Sequence, residues 1–355
     1  MLDVLLQYGL IGAIVLVGIG LAILIGGGEI LVRGASRLAM AFGVSPLVIG
    51  LTIVAICTSA PELAVSVTSS LHGKSGMALG NVVGSCICNI CLILGLAAVF
   101  RPLRVSASLI RREIPLMIFL SFLVLIFGFL GGFGTMLDVA EGDFEGNITR
   151  LAGGILTVGL AAYLCWTVYE VRRHPKQDAE LIAEMEGEVR EKNAGVSSIG
   201  RGGRIVTGCC GLIIGLGFLL LGSDMLIKGG TQVATIFGVS DLVIGLSVLA
   251  VGTSLPELVV SVVAAIRGKS EIAIGNVVGS NIFNILGVLG ISAFVSHDGL
   301  EVAPRAMQFD IPVMIVVSIF CIILCFTGQR ISRFEGIFLL LVYGVYMTLI
   351  CLAGG

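Results

Sequence analysis

A chain of 355 residues that is 57% hydrophobic and 12% charged, with a net charge of −2 and a mean hydropathy of +1.09, carries more apolar surface than a soluble domain of its length buries. Its apolar stretches of about twenty residues, separated by short charged connections, mark a polytopic helical membrane protein. Their continuity excludes an outer-membrane barrel, whose strands would alternate over roughly ten residues.

The N-terminal MLDVLLQYG has no basic leader and no cleavage site, so its apolar stretch reads as a retained membrane helix. Apolar runs then fall at 8–40, 44–71, 76–100, 108–133 and 149–171 in the first half, and at 205–236, 240–266, 271–296, 306–327 and 334–353 in the second. They predict an all-α membrane protein of about ten transmembrane helices, five per half. The hydrophilic RRHPKQDAELIAEMEGEVREKNAG (172–195) predicts a solvated, partly helical connector. The expected organisation is a first five-helix repeat at 1–171, a cytoplasmic loop at 172–204 and a second five-helix repeat at 205–355. Fifty glycines suit close helix packing in lipid, and ten cysteines, mostly within apolar runs, act as small hydrophobes, implying neither disulfides nor zinc.

The halves are copies. CTSAPELAVSV (57–67) and GKSGMALGNVVGSCICNICLILG (73–95) return as GTSLPELVVSV (252–262) and GKSEIAIGNVVGSNIFNILGVLG (268–290). The offset is a constant 195 (257 minus 62), which also pairs Glu29 with Asp224 and Gly43 with Gly238. Beyond that, NITRLAGGILTVGLAAY (147–163) matches RISRFEGIFLLLVYGVY (330–346) at an offset of 183 (333 minus 150), so the acidic loop at 136–147 is the expected insertion in the first half. Repeats with an odd number of spans enter the membrane from opposite sides, giving inverted topology. With the N-terminus outside, 17 of the 21 Lys and Arg lie in the cytoplasm and only Lys74, Arg150, Lys228 and Arg305 outside, so both termini are expected to face outward.

The chemistry sits in T-S-x-P-E. Proline removes a backbone donor and clashes with the preceding turn, so Pro61 and Pro256 are expected to break their helices at mid-membrane and free carbonyls around Ala55 and Ala250. Glu62 and Glu257 follow directly. Neither signature contains a basic residue to neutralise them, and idle carboxylates are costly in lipid, so they read as cation ligands. Carboxylates with hydroxyl and carbonyl oxygens form the hard-oxygen set that Ca2+ and Na+ favour. In G-N-V-V-G-S-x-I-x-N, Ser85 and Asn89 share a helical face, as do Ser280 and Asn284. Gly80, Gly84, Gly275 and Gly279 are expected to let the broken helix of the same half pack closely. Asn81 and Asn276 read equally as ligands or as hydrogen-bond glue between helices.

These duplicated segments resemble the alpha repeats of the calcium:cation antiporter superfamily, nearest its prokaryotic sodium/calcium exchangers. The resemblance spans almost the whole chain. It implies a central Ca2+ site of Glu62, Glu257, Thr58 and Thr253. It implies Na+ sites that share both glutamates, with Ala55, Ser59 and Ser85 on the cytoplasmic side and Ala250, Ser254 and Ser280 on the outer side. Asn89 and Asn284 would face the centre. The chain departs from the family pattern in carrying Asn284 where many relatives have aspartate, which argues against potassium coupling, and Cys57, Cys86 and Cys88 where the second repeat has Gly252, Asn281 and Phe283.

The expected function is a secondary active antiporter, not an enzyme, that exchanges Na+ for Ca2+ by alternating access and extrudes Ca2+. The long first and sixth helices would move across a fixed core, with Glu29 and Asp224 either hydrating an access path or pairing with Arg33 and Lys228, four residues on. A proton-coupled exchanger shares this architecture, but dedicated Na+ sites need the hydroxyls of Ser59, Ser85, Ser254 and Ser280, which are present. A passive channel would need a continuous pore, and an intramembrane enzyme a signature that is missing; His72, His174 and His297 all lie near predicted helix ends. Expected partners are inorganic cations and the bilayer of the inner (plasma) membrane, with no cofactor, no nucleic acid and a monomer as the functional unit.

Overall fold

The computed structural model describes residues 9–132, 146–173, 200–237, 250–326 and 328–353. Helix α1 (Gly9–Phe42) leads into a bent pair, α2 (Pro46–Thr58) and α3 (Ala60–Leu71), and then α4 (Ser75–Phe100), α5 (Leu109–Leu130) and α6 (Arg150–Arg173). The second half contains α7 (Arg201–Ile236), the short α8 (Ala250–Gly252), α9 (Leu255–Ile266), α10 (Ser270–Val295), α11 (Ala306–Phe326) and α12 (Arg333–Ala353). Among the described residues eight helices are long and apolar enough to cross a bilayer, and the α2–α3 pair, bent by 46°, makes a ninth. Helix α9 is the repeat-equivalent of α3. Most of the segment equivalent to α2, residues 241–253, lies outside the described residues, as do Gly238, most of the 136–147 loop and most of the 172–204 connector.

Helices α1 and α7, of 34 and 36 residues, are about 50 Å long at 1.5 Å per residue, well beyond the roughly 30 Å of a bilayer's hydrocarbon. They pack along a seam of glycines spaced by seven: Gly20, Gly27 and Gly34 on α1 oppose Gly222, Gly215 and Gly208 on α7. A Cβ on Gly27 would lie 2.9 Å from the Gly215 carbonyl oxygen, and one on Gly215 would lie 2.8 Å from the Gly27 carbonyl oxygen. Only hydrogen fits, so the backbones meet directly, as packing in lipid favours. Residue numbers rise along one helix as they fall along the other. The leading helices of the two repeats are therefore antiparallel, as inverted repeats require.

Helices α4 and α10 form the buried centre, apolar apart from the asparagines and serines they carry into it. Each carries a π-helical turn, Asn89–Leu94 in α4 and Asn284–Leu289 in α10, a local widening common at functional sites. The expected packing of α2 within its own half is corrected by the structure. A Cβ on Gly279 of α10 would lie 2.6 Å from the Leu51 carbonyl oxygen, and one on Gly275 would lie 2.9 Å from that of Leu47, so α2 rests on the other half. Gly80 and Gly84 have no heavy atom within 4 Å of a Cβ position, and the residues equivalent to Leu47 and Leu51, at 242 and 246, lie outside the described residues.

Four short strands were not predicted. β1 (Leu103–Arg104) pairs antiparallel with β4 (Arg330–Ile331), and β2 (Gly146–Ile148) with β3 (Leu300–Val302). At two or three residues they are too short to show an alternating pattern. They tie the two halves together, one clasp where α4 turns into α5 and the other just before α6, while α1 and α7 carry no such clasp among the described residues.

Candidate ion-binding site

The helix break falls on serine. Ser59 (φ −84°, ψ 7°) separates α2 from α3, and Ser254 (φ −89°, ψ 8°) stands at the same point before α9. Pro61 and Pro256 occupy the first turn of α3 and α9, where a missing N–H costs nothing. The expectation that this frees carbonyls around Ala55 is corrected for Ala55 itself: its carbonyl accepts the Ser59 amide at 2.9 Å and lies 3.3 Å from the Thr58 hydroxyl. The amides that the prolines lack are those that would reach Cys57 and Gly252, four residues back. In the second half the Ser254 amide bonds to the Val251 carbonyl at 3.1 Å, passing over Ala250. The Ala250 side chain lies outside the described residues.

Glu62 and Glu257 open the helices after the breaks, and both are 0% exposed. Each is held by the other repeat. The Ser59 hydroxyl donates to Glu257 Oε1 at 2.8 Å, and the Ser254 hydroxyl donates to Glu62 Oε1 at 3.0 Å while lying 3.2 Å from the Ser85 hydroxyl. Among the described residues neither carboxylate pairs with a basic side chain, and Oε2 of each has no hydrogen-bond partner. Two buried carboxylates in that condition demand a cation or protons.

The asparagines beside them bond from helix to helix, which supports the glue reading of the two left open by the sequence. Asn81 Nδ2 donates to the Glu62 carbonyl at 3.3 Å and to Ser66 Oγ at 2.9 Å, and Asn276 Nδ2 donates to the Glu257 carbonyl at 3.3 Å and to Ser261 Oγ at 2.9 Å. Their oxygens accept across the repeats, Asn276 Oδ1 from the Thr58 hydroxyl at 3.0 Å and Asn81 Oδ1 from the Thr253 hydroxyl at 3.4 Å. Each threonine thus spends its proton on an asparagine and keeps lone pairs for another contact. Glu62, Glu257, Ser59, Ser254, Ser85, Thr58 and Thr253 form one cross-linked set. Ser280, Asn89 and Asn284 are buried in the packed turns around it, with Ser280 Oγ, Asn89 Oδ1 and both polar atoms of Asn284 unpartnered among the described residues. These unsatisfied buried oxygens, the hard type that Ca2+ and Na+ favour, stand on four elements that pack together.

Over residues 12–169 and 207–352 the chain matches the family described as sodium/calcium exchanger protein. The chain belongs to this family. It is 34% identical to the sodium/calcium exchanger MaX1 of Methanosarcina acetivorans over 341 residues, covering 94% of this chain and 96% of the relative. It is 35% identical to the inner membrane protein YrbG of Escherichia coli over 307 residues, covering 86% of each. A solved structure of the sodium-calcium exchanger NCX_Mj, soaked with Na+ and Sr2+, superposes with a TM-score of 0.73 at 31% identity, covering 95% of this chain and 97% of that one. As an exchanger-family member, the chain is a multi-pass cation antiporter of the calcium:cation antiporter superfamily.

Glu29 and Asp224 lie away from this centre and form ion pairs. Glu29 meets Arg33 at 2.6 Å and Arg267, at the end of α9, at 2.7 Å, whereas Asp224 meets Lys228 at 2.9 Å within its own helix. The exchanger fold also repeats a carboxylate–tyrosine pair that the sequence reading missed. The Tyr163 hydroxyl donates to Glu113 at 3.2 Å, and the Tyr346 hydroxyl donates to Asp310 at 3.1 Å. The signal was present as E-I-P at 113–115 and D-I-P at 310–312, just beyond the region of constant offset. Ser66, Ser261 and Asn281 were also missed; Ser66 and Ser261 each stand four residues after a signature glutamate.

Proposed function

We propose that this exchanger moves Na+ against Ca2+ by alternating access and extrudes Ca2+ from the cytoplasm. The observation that carries the reading is the reciprocal pair of buried glutamates, each fixed at one oxygen by a serine of the other repeat and open at the second. Two ionised carboxylates neutralise one Ca2+, with Thr58 and Thr253 completing its shell. Several Na+ ions would share the same glutamates, with Ser59, Ser85 and the Ala55 carbonyl on one side and Ser254, Ser280 and the Ala250 carbonyl on the other. Occupancy by one ion species then excludes the other. Asn89 and Asn284 face the centre in this reading.

The α1–α7 pair would be the moving part, joined by glycine backbone contacts and clasped to the core by Glu29 and Arg267. The bias of basic residues supports placing both termini outside a plasma or inner membrane, loop 172–204 in the cytoplasm, and one five-helix repeat on either side of it. One chain holds both carboxylates, so a monomer suffices.

The test is Ca2+ uptake into Na+-filled liposomes diluted into Na+-free buffer, with and without a proton uncoupler. Uptake that needs internal Na+, survives the uncoupler and is lost in Glu62→Gln and Glu257→Gln is the expected result. Uptake driven by a pH gradient instead would assign proton coupling, and no Ca2+ movement with either gradient would refute the assigned ion.

A further inference from the structure

The two repeats differ at one buried amide. Asn281 on α10 has Cys86 as its repeat-equivalent on α4, and both are buried beside the π-helical turns that begin at Asn89 and Asn284. Asn281 Nδ2 lies 3.3 Å from the Cys86 carbonyl oxygen and 3.4 Å from the Met117 thioether sulfur, two groups that only accept. The nitrogen of Asn281 is thereby assigned, and its Oδ1 is the atom that meets Asn89 at 2.9 Å. Asn89 must then donate from Nδ2. Because the oxygen and nitrogen of an amide diverge from one carbon, this bond holds Asn89 Oδ1 facing away from Asn281, buried and unpartnered.

Asn284 has no such anchor. The place equivalent to Asn281 is filled by Cys86, whose thiol lies 4.0 Å from the Asn281 carbonyl oxygen and supplies no amide. Among the described residues neither Oδ1 nor Nδ2 of Asn284 has a partner. The two amides are placed against opposite glutamate helices. The Asn89–Leu94 turn packs on α9, which Glu257 opens, and the Asn284–Leu289 turn packs on α3, which Glu62 opens.

We propose that Asn281 is a positioning residue that locks Asn89 as an oxygen donor to the transported divalent cation, while Cys86 leaves Asn284 free to turn either its oxygen or its nitrogen toward the site. This rests on the ion-binding reading above. With a cation bound, both amides offer oxygen. Asn284, with neither its oxygen nor its nitrogen tied among the described residues, can present either atom to the site as the ion comes and goes, and Asn89 cannot follow. The site is thus built from one fixed amide ligand and one adaptable one, although its signatures are nearly identical.

The test compares Ca2+ uptake by the full-length chain in Na+-filled liposomes for the wild type, Asn281→Cys, Cys86→Asn and the exchanged double variant Cys86→Asn/Asn281→Cys. Asn281→Cys is expected to raise KM for Ca2+ about tenfold, the size of one lost contact to an ion, with kcat changed little. The exchanged variant moves the anchor to the other half and is expected to restore most of that loss. Each background is then combined with Asn89→Ala or Asn284→Ala. Asn89→Ala should cost more in the wild type, and Asn284→Ala more in the exchanged chain.

A purely packing role for Asn281 gives additive losses, no rescue and no reversal, and that result overturns the proposal. If Asn281→Cys does not fold, the reversal between the wild-type and exchanged chains still decides. A wild type that takes up Ca2+ without any reversal removes the anchoring alone, whereas a wild type that moves no Ca2+ removes the ion-binding reading with it.

Discussion

Alanine at Gly215 should destabilise this exchanger, and alanine at Gly217, two residues along the same helix, should not. A Cβ on Gly215 would sit 2.8 Å from the Gly27 carbonyl oxygen, from the Leu31 amide nitrogen and from Leu31 Cβ. Ordinary contact begins near 3.4 Å, so α1 and α7 must part by about 0.6 Å. Two of those atoms are backbone, and no side-chain rotation relieves the clash. Overpacking of this kind costs about 1–3 kcal/mol. A Cβ on Gly217 meets nothing within 4 Å, and there alanine only reduces the freedom of the unfolded chain, a gain of about 0.4–1 kcal/mol. The variants should therefore differ by about 1.5–4 kcal/mol. In thermal unfolding of the purified protein in detergent this separates their midpoints by about 2–5 °C, at roughly 1.3 °C per kcal/mol for a chain of this size. Equal midpoints would refute a seam closed by backbone contact.

Ser59→Ala removes the 2.8 Å bond to Glu257 and should weaken apparent Ca2+ affinity roughly tenfold or more, an effect that Glu257→Gln should largely absorb in a double-mutant cycle of uptake measurements. Asn276→Ala strands the Thr58 hydroxyl and the Glu257 carbonyl in a fully buried setting and should cost about 1–3 kcal/mol in detergent melts, more than the half-buried Asn81→Ala. Glu29→Gln breaks pairs whose arginines are 63% and 56% exposed, so its stability cost should stay below about 1 kcal/mol; the expected change is in uptake rate, and an unchanged rate would show that the α1–α9 clasp does not govern movement.

Among the described residues the apolar runs located the helices to within a few residues because lipid imposes one constraint on every span, internal satisfaction of the backbone. Both glutamates were legible for a related reason: a carboxylate in apolar sequence with no basic neighbour has few explanations, and a second copy at the same register removes most of them. What could not be read was which half each partner came from. A linear pattern placed α2 against its own repeat, because spacing carries no information about contacts across a duplication. The roles of Asn81 and Asn276 were equally hidden, since an asparagine reads the same as ligand or as glue until its partners are known. The helix break was expected from Pro61, yet its dihedral change falls on Ser59, so the Ala55 carbonyl keeps its amide partner. The seven-residue glycine spacing was present in the sequence but becomes a seam only when both helices are seen together.

The reciprocity of the serine and glutamate bonds also bears on ancestry. One half taken alone would keep its glutamate, serine, threonine and asparagine and still lack every bond that crosses from the other half. Two free copies of such a half, inserted in opposite directions, would rebuild the serine–glutamate and threonine–asparagine bonds at once. The present chain is in that sense a fused pair, each half the complement of the other. Fusion then released each position from serving in both copies. Cys86 and Asn281 are a place where the two halves have since diverged.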